Sequence, residues 1–164
     1  MELLIKILKE YDIELTREQT EQYAEYMDQI LEYNQHINLT SITDRDEFIK
    51  KHYADSILGA MNDEFMAGEK IIDVGTGAGF PGVPLAILFP DKEFVLLDSL
   101  NKRLKIVNEI CKSIGINNVR VLHTRAEDAG RNKEYREQFD ICISRAVADL
   151  SVLSELCLPF VREG

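Results

Sequence analysis

Histidine and cysteine are scarce in this 164-residue chain, and positive charge is in deficit. Each shortage narrows the chemistry open to it. The three cysteines, Cys111, Cys142 and Cys157, form no C-x-x-C and cannot all pair. Each lies in an apolar segment, so they read as small buried thiols in a reducing cytoplasm, not as a redox or metal set. The three histidines are dispersed. His36 reads as helix-end surface, His123 as a strand end bordering a site, and His52 as a packing residue on an amphipathic helix. No cluster of His, Cys and acids has metal-ligand spacing, so no metal is expected. No Ser/His or Cys/His arrangement marks a nucleophile. No apolar run is long enough to cross a bilayer. The apolar start, Leu3 to Leu8, is broken by Lys6 and lacks a small-residue cleavage site, which argues against a secretory signal. The expectation is a cytoplasmic protein with no membrane partner. Internal repeats and low-complexity tracts are absent too.

The charge deficit is uneven. A net charge of −10 argues against an obvious nucleic-acid binder. Residues 1–68 hold six Lys/Arg against fifteen Asp/Glu, whereas residues 69–164 hold thirteen against fourteen. The second part is therefore nearly neutral, with basic clusters at Lys102-Arg103-x-Lys105 and Arg131-x-Lys133. Phosphate contact needs a local positive patch, not a positive total; solvated helix faces are the commoner source of such clusters. Hydrophobic content of 45% and charged content of 29% are those of a globular protein able to bury a core.

The richest stretch is glycine. An apolar strand at Ile71-Ile72 ends in Asp73, glycines follow at Gly75, Gly77, Gly79 and Gly82, and an apolar segment leads to Pro90. Strand, Gly-rich turn and helix build a nucleotide site at the carboxyl ends of an open α/β sheet. Gly77-x-Gly79-x-x-Gly82 matches the dinucleotide fingerprint, a weak signal alone. A pyrophosphate wants backbone N–H donors, and Pro81 and Pro84 each remove one. S-adenosylmethionine has no phosphate; it carries an ammonium and a sulfonium, which suit an acid such as Asp73. Asp98 ends the second apolar strand, about twenty residues past the glycines, where an acid meets a ribose hydroxyl in either ligand. The plainer reading makes Asp98 or Ser99 a helix N-cap.

The remaining elements follow from spacing. A short helix is expected over residues 2–10. A longer one begins at a capping box, Thr16 with Gln19, and carries Tyr23, Tyr26, Met27, Ile30 and Leu31 as core contacts. Asp44 or Asp46 caps a third helix through Phe48, Tyr53 and Ile57 that ends near Gly59. Strands are expected at residues 71–74, 94–98, 119–123 and 139–144, and helices near 83–89, 101–114 and 150–158. Continuously apolar strands alternating with helices predict a parallel, doubly wound α/β sheet. The division expected is an N-terminal helical extension, residues 1–66, packed on a Rossmann-like domain, residues 67–164. The chain stops where a fifth strand is expected, so the fourth strand reads as a bare edge and the chain as C-terminally truncated.

Six runs occur in order: Asn38-Leu39-Thr40-Ser41-Ile42, His52-Tyr53-Ala54-Asp55-Ser56, Asp73-Val74-Gly75-Thr76-Gly77-Ala78-Gly79-Phe80-Pro81-Gly82, Asp98-Ser99-Leu100-Asn101-Lys102-Arg103, Arg125-Ala126-Glu127 and Ser144-Arg145-Ala146. Together they resemble the bacterial small-subunit (16S) ribosomal RNA guanine-N7 methyltransferase family, once called glucose-inhibited division protein B. The resemblance implies a class I S-adenosylmethionine-dependent methyltransferase fold and cofactor contacts from Gly75, Phe80, Ala126, Glu127 and Arg145. Asp73, Gly77, Gly79 and Asp98 join them from the residues alone. Gly75 lets backbone approach a ligand, Phe80 offers an apolar face, and Ala126-Glu127 bracket an adenine after the third strand. Glu127 alone also suits a helix start. Arg145 could orient cofactor or substrate, or pair with Asp73 or Asp149. The family's His-Tyr-Ala-Asp-Ser run allows His52 a substrate-side duty.

Guanine N7 carries an in-plane lone pair and no proton at neutral pH, so its methylation needs placement and not a general base; no catalytic residue is assigned. The implied partner is small-subunit ribosomal RNA or a ribosomal particle, with a monomer expected at full length. The rival readings are an NAD(P)-dependent dehydrogenase, a non-catalytic RNA- or ribosome-binding module, and a methyltransferase of proteins or small molecules.

Overall fold

The computed structural model describes residues 1–145 and 149–163. The N-terminal third is helical: α1 (Glu2–Lys9), α2 (Arg17–Tyr33), α3 (Arg45–Phe48), a π-helical stretch (Ile49–Ala54), α4 (Asp55–Gly59) and α5 (Asp63–Ala67). The capping box at α2 is complete. The Thr16 hydroxyl accepts from the Gln19 amide at 3.1 Å, and the Gln19 side chain accepts from the Thr16 amide at 2.9 Å. Asp44, not Asp46, caps α3 by accepting from the Glu47 amide.

From Lys70 on, strands and helices alternate: β1 (Lys70–Val74), α6 (Gly82–Leu88), β2 (Glu93–Asp98), α7 (Asn101–Ser113), β3 (Val119–His123), α8 (Ala126–Arg131), β4 (Ile141–Ile143) and α9 (Leu150–Cys157). The strands are all parallel, in the order β3-β2-β1-β4. β1 is central in sequence logic and in space, flanked by β2 and β4. Period-two alternation divides its side chains between two cores. Ile71, with Phe94 and Leu96 of β2, joins the core to which α1, α2, α6 and α7 also contribute. Ile72 and Val74, with Val95 and Leu97, face Ala129 of α8, Phe139 and Phe160.

Three features depart from the expectation. α5 and α8 form outside the expected helices; each is short enough to hide from periodicity, although Glu127 does open α8 as a helix-start acid. The third helix widens into a π segment at Ile49–Ala54. Of the cysteines, only Cys111 is buried; Cys142 on β4 and Cys157 on α9 are partly exposed, because β4 lies at the sheet edge.

Candidate cofactor-binding site

The glycine turn divides into two faces. Gly75 and Gly77, at φ of 71° and 58°, are partly exposed at the carboxyl end of β1. At Gly77 a Cβ would meet nothing within 4 Å, so open space adjoins it. Gly79 and Gly82 face inward. A Cβ on Gly79 would strike the Tyr26 hydroxyl, and one on Gly82 would strike Leu96 and lie 2.8 Å from Asp73 Oδ2. Four glycines that look alike in the sequence therefore fall into two pairs, one at an open surface and one in close packing.

The turn's amides are nearly all engaged within the chain. Gly75 and Thr76 donate to the Leu97 carbonyl at 2.8 and 3.0 Å, and Gly79 and Phe80 donate to the Thr76 carbonyl. Gly77 donates to Asp98 Oδ2 at 2.8 Å and Gly82 to Asp73 Oδ2 at 2.9 Å. Of residues 75–82 only Ala78 has an amide with no such partner among the described residues. A cradle for a diphosphate needs free donors; this turn does not offer them.

The two acids that end β1 and β2 go separate ways. Asp73 is fully buried on the α6 side of the sheet. Its Oδ2 accepts from the Thr76 hydroxyl at 2.7 Å as well as from Gly82, while Oδ1 has no partner among the described residues. Burial pushes its carboxyl up to about 7, against the pull of the Thr76 and Gly82 bonds. Strand alternation thus corrects one expectation: Asp73 does not reach the cleft, and it organises the turn from behind. Asp98 does reach the cleft. Its Oδ2 holds Gly77 and its Oδ1 accepts from the Leu100 amide at 2.9 Å, an Asx turn. The N-cap of α7 is Leu100, without a side-chain cap, so neither Asp98 nor Ser99 is the helix cap.

A cleft of about 860 Å³ opens over these ends. Gly75, Gly77, Asp98, Ala126, Glu127 and Arg145 all line it. Glu127 stands exposed in the first turn of α8. Asp73, Gly79 and Phe80 do not line it. Phe80 is buried and joins Tyr26, Phe48, His52 and Tyr53 in an aromatic cluster, its ring stacked on His52 at 4.1 Å. Sequence reasoning passed over Arg103, Arg125 and Leu156 as cleft residues. Position after a strand's carboxyl end could have flagged Arg125; nothing in the sequence flags Leu156.

Arg145 forms no ion pair with Asp73 or Asp149 among the described residues. It donates instead to the Lys51 carbonyl at 2.8 Å, to His52 Nδ1 at 2.8 Å and, at 3.4 Å, to the Ser56 hydroxyl. Ala146, the last residue of its run, lies outside the described residues.

A parallel sheet with helices on both faces, a glycine turn after its central strand and an acid at the end of the next is the class I methyltransferase fold. An O-methyltransferase from Bacillus cereus solved in complex with SAH superposes with a TM-score of 0.60 at 19% identity, over 85% of this chain and 62% of that one. A precorrin-6y C5,15-methyltransferase from Geobacter metallireducens gives 0.54 at 11% identity, over 79% and 65%. Sequence comparison is narrower. The chain belongs to the GidB family, described as rRNA small subunit methyltransferase G, which it matches over residues 19–164. A ribosomal RNA small subunit methyltransferase G from Clostridium beijerinckii is 50% identical over 99% of the chain and 68% of its own length. Those from Clostridium perfringens and Lactobacillus johnsonii are 47% and 46% identical, over 67% and 69% of theirs. The chain thus spans about two thirds of the length of these relatives.

Proposed function

We propose that this chain transfers a methyl group from S-adenosylmethionine to N7 of a guanine in small-subunit ribosomal RNA. The observation that carries the cofactor assignment is the engaged turn. With its amides bonded internally, the turn suits a nucleoside without phosphates and disfavours the dinucleotide of a dehydrogenase. The family and its named relatives support the RNA substrate.

The cofactor supplies an electrophilic methyl on a sulfonium. The residues of the chain bind and orient. Gly75 and Gly77 bring bare backbone to the cleft floor. Asp98, already fixed by two amides, keeps lone pairs for ribose hydroxyls. Ala126 leaves room for an adenine, and Glu127 at the rim meets polar groups. Arg145 sets the far wall. N7 needs no proton removed, so positioning and exclusion of water account for the rate. The target guanine enters from a loop or is drawn from its stack. A naked RNA or a ribosomal particle presents it to a monomeric enzyme in the cytoplasm.

The test is methylation of small-subunit RNA and of small-subunit particles by the whole gene product, with nucleosides resolved after digestion. N7-methylguanosine is expected. Label in another nucleoside, or in protein, overturns the RNA assignment. Tight NADH binding without S-adenosylhomocysteine binding overturns the cofactor.

A further inference from the structure

We infer that His52 is a positioning residue for Arg145, holding its guanidinium at the cleft wall through a fixed ring tautomer. The inference rests on the cofactor reading above for its functional consequence, but not for its geometry.

Arginine only donates, so the 2.8 Å contact between Arg145 Nη2 and His52 Nδ1 makes Nδ1 an acceptor with a free lone pair. The ring proton therefore sits on Nε2, which donates to the Thr40 hydroxyl oxygen at 2.8 Å. That oxygen also accepts from the Ile42 amide at 3.1 Å, so it is fixed in turn. Phe80, from the glycine turn, stacks on the same ring with an interplanar angle of 3°. Four of the six sequence runs meet here, through Thr40, His52 with Ser56, Phe80 and Arg145.

Local backbone geometry supports the reading. In the π stretch the Asp55 amide donates to the Lys50 carbonyl, five residues back. An α-helix would send it to Lys51. The Lys51 carbonyl instead accepts from Arg145 Nη1 at 2.8 Å. The widening of the helix thus exposes one carbonyl and one imidazole to the same guanidinium. Single π turns of this kind recur at functional sites. A histidine that merely filled space would need neither the fixed tautomer nor the widened helix. Neutrality is part of the device: burial, then the nearby Arg145 charge, hold the His52 ring down at about 4, so it stays an acceptor at physiological pH.

Two variants separate the roles of the ring. His52→Phe keeps a flat ring on Phe80 and loses the acceptor. His52→Asn loses the ring and places an amide oxygen near the position of Nδ1. Affinity for S-adenosylhomocysteine is expected to fall at least about tenfold in His52→Phe, the scale of a lost bond to a charged donor. It recovers to within about threefold of wild type in His52→Asn. The effect of His52→Phe should vanish in an Arg145→Ala background, because His52 acts through that arginine. Persistence of the full effect there, or wild-type affinity in His52→Phe with the fold intact, overturns the inference.

Nitrogen NMR of the unliganded protein supplies a readout independent of cofactor and activity. A neutral Nε2–H tautomer and slowed Arg145 Nη exchange, lost in His52→Phe, are expected. The opposite tautomer, or a ring titrating near its ordinary pKa, overturns the geometry. Failure of wild type to bind the homocysteine ligand, with the NMR signature present, overturns the cofactor reading and leaves the clamp standing.

Discussion

Gly77 and Gly82 belong to one fingerprint in the sequence, yet alanine at the two positions should fail in opposite ways. At Gly82 the new Cβ would press into Leu96 and sit 2.8 Å from Asp73 Oδ2. Leu96 is fully buried, so its side chain has no free space to swing into. Overpacking of this kind costs about 1–3 kcal/mol. Displacing the Asp73 carboxylate also breaks its 2.9 Å bond from the Gly82 amide and disturbs the Thr76 hydroxyl, about 1–3 kcal/mol more. Gly82→Ala should therefore lose about 2–6 kcal/mol, a large share of a typical domain's stability. At Gly77 the neighbourhood is empty, and the cost is the left-handed backbone at φ 58°, about 1–2 kcal/mol. Its methyl would project into the open space of the cleft. Urea unfolding measures the first quantity and calorimetric titration with S-adenosylhomocysteine the second. Gly82→Ala should show a much lower midpoint. Gly77→Ala should lose only the about 1–2 kcal/mol of backbone strain but bind at least about tenfold more weakly, the scale of one methyl's misfit in a tight site. A Gly77→Ala that unfolds early while Gly82→Ala stays stable would show that the two faces of the turn have been assigned the wrong way round.

Three further outcomes are expected. Tyr26→Phe removes the hydroxyl that donates to the Ala78 carbonyl at 2.6 Å, and should cost about 1–3 kcal/mol in urea unfolding and weaken the homocysteine ligand's binding, since Ala78 lies between the two turn glycines. Thr16→Ala breaks the capping box at α2 and should cost about 1 kcal/mol with ligand affinity unchanged. Across pH 4 to 6.5 the depressed His52 leaves the unfolded chain holding the extra proton, so its contribution to stability falls on acidification by about 1.4 kcal/mol per pH unit; Asp73, raised to about 7, leaves the folded chain holding one, so its contribution rises by a similar amount. Wild type should be nearly flat between pH 5 and 6, and Asp73→Asn should lose about 1 kcal/mol over that unit; equal slopes in the two proteins would refute the opposed shifts.

The α/β half was legible because its signals are local. Apolar strands bounded by Asp73 and Asp98 fix β1 and β2, and the Thr16–Gln19 box fixes the start of α2. Alternation of side chains was legible in principle too, and it governs where Asp73 goes. Alternation ties Asp73 to the face of Ile71, opposite Ile72 and Val74, but which face carries Thr76 and Gly82 to bond its carboxyl is settled only in the folded sheet. Those partners come from the folded turn, not from strand periodicity. Phe80 shows the same limit: its neighbours Tyr26, Phe48, His52 and Tyr53 are distant in sequence, and only the docked helices bring them together. The π stretch has no sequence signature, because a short widened turn leaves the apolar periodicity of Phe48, Tyr53 and Ile57 almost unchanged.

The prolines complete the electrostatic argument for the ligand. The first amides of any helix lack intrahelical partners and make its N-terminus attractive to anions. In α6 that surplus is removed residue by residue. Pro81 and Pro84 have no amide to offer. Gly82 donates to Asp73, Val83 to the Gly79 carbonyl at 2.7 Å, and Leu85 to the Pro81 carbonyl at 3.4 Å. The Tyr23 hydroxyl donates to the Pro84 carbonyl at 2.7 Å, anchoring the same turn to α2 from the far side of the helix. The buried Asp73, by accepting from the Gly82 amide, takes away a donor that a phosphate would need. A fingerprint that by spacing fits a dinucleotide is thus converted by two prolines and one acid into a surface that favours an uncharged or cationic nucleoside.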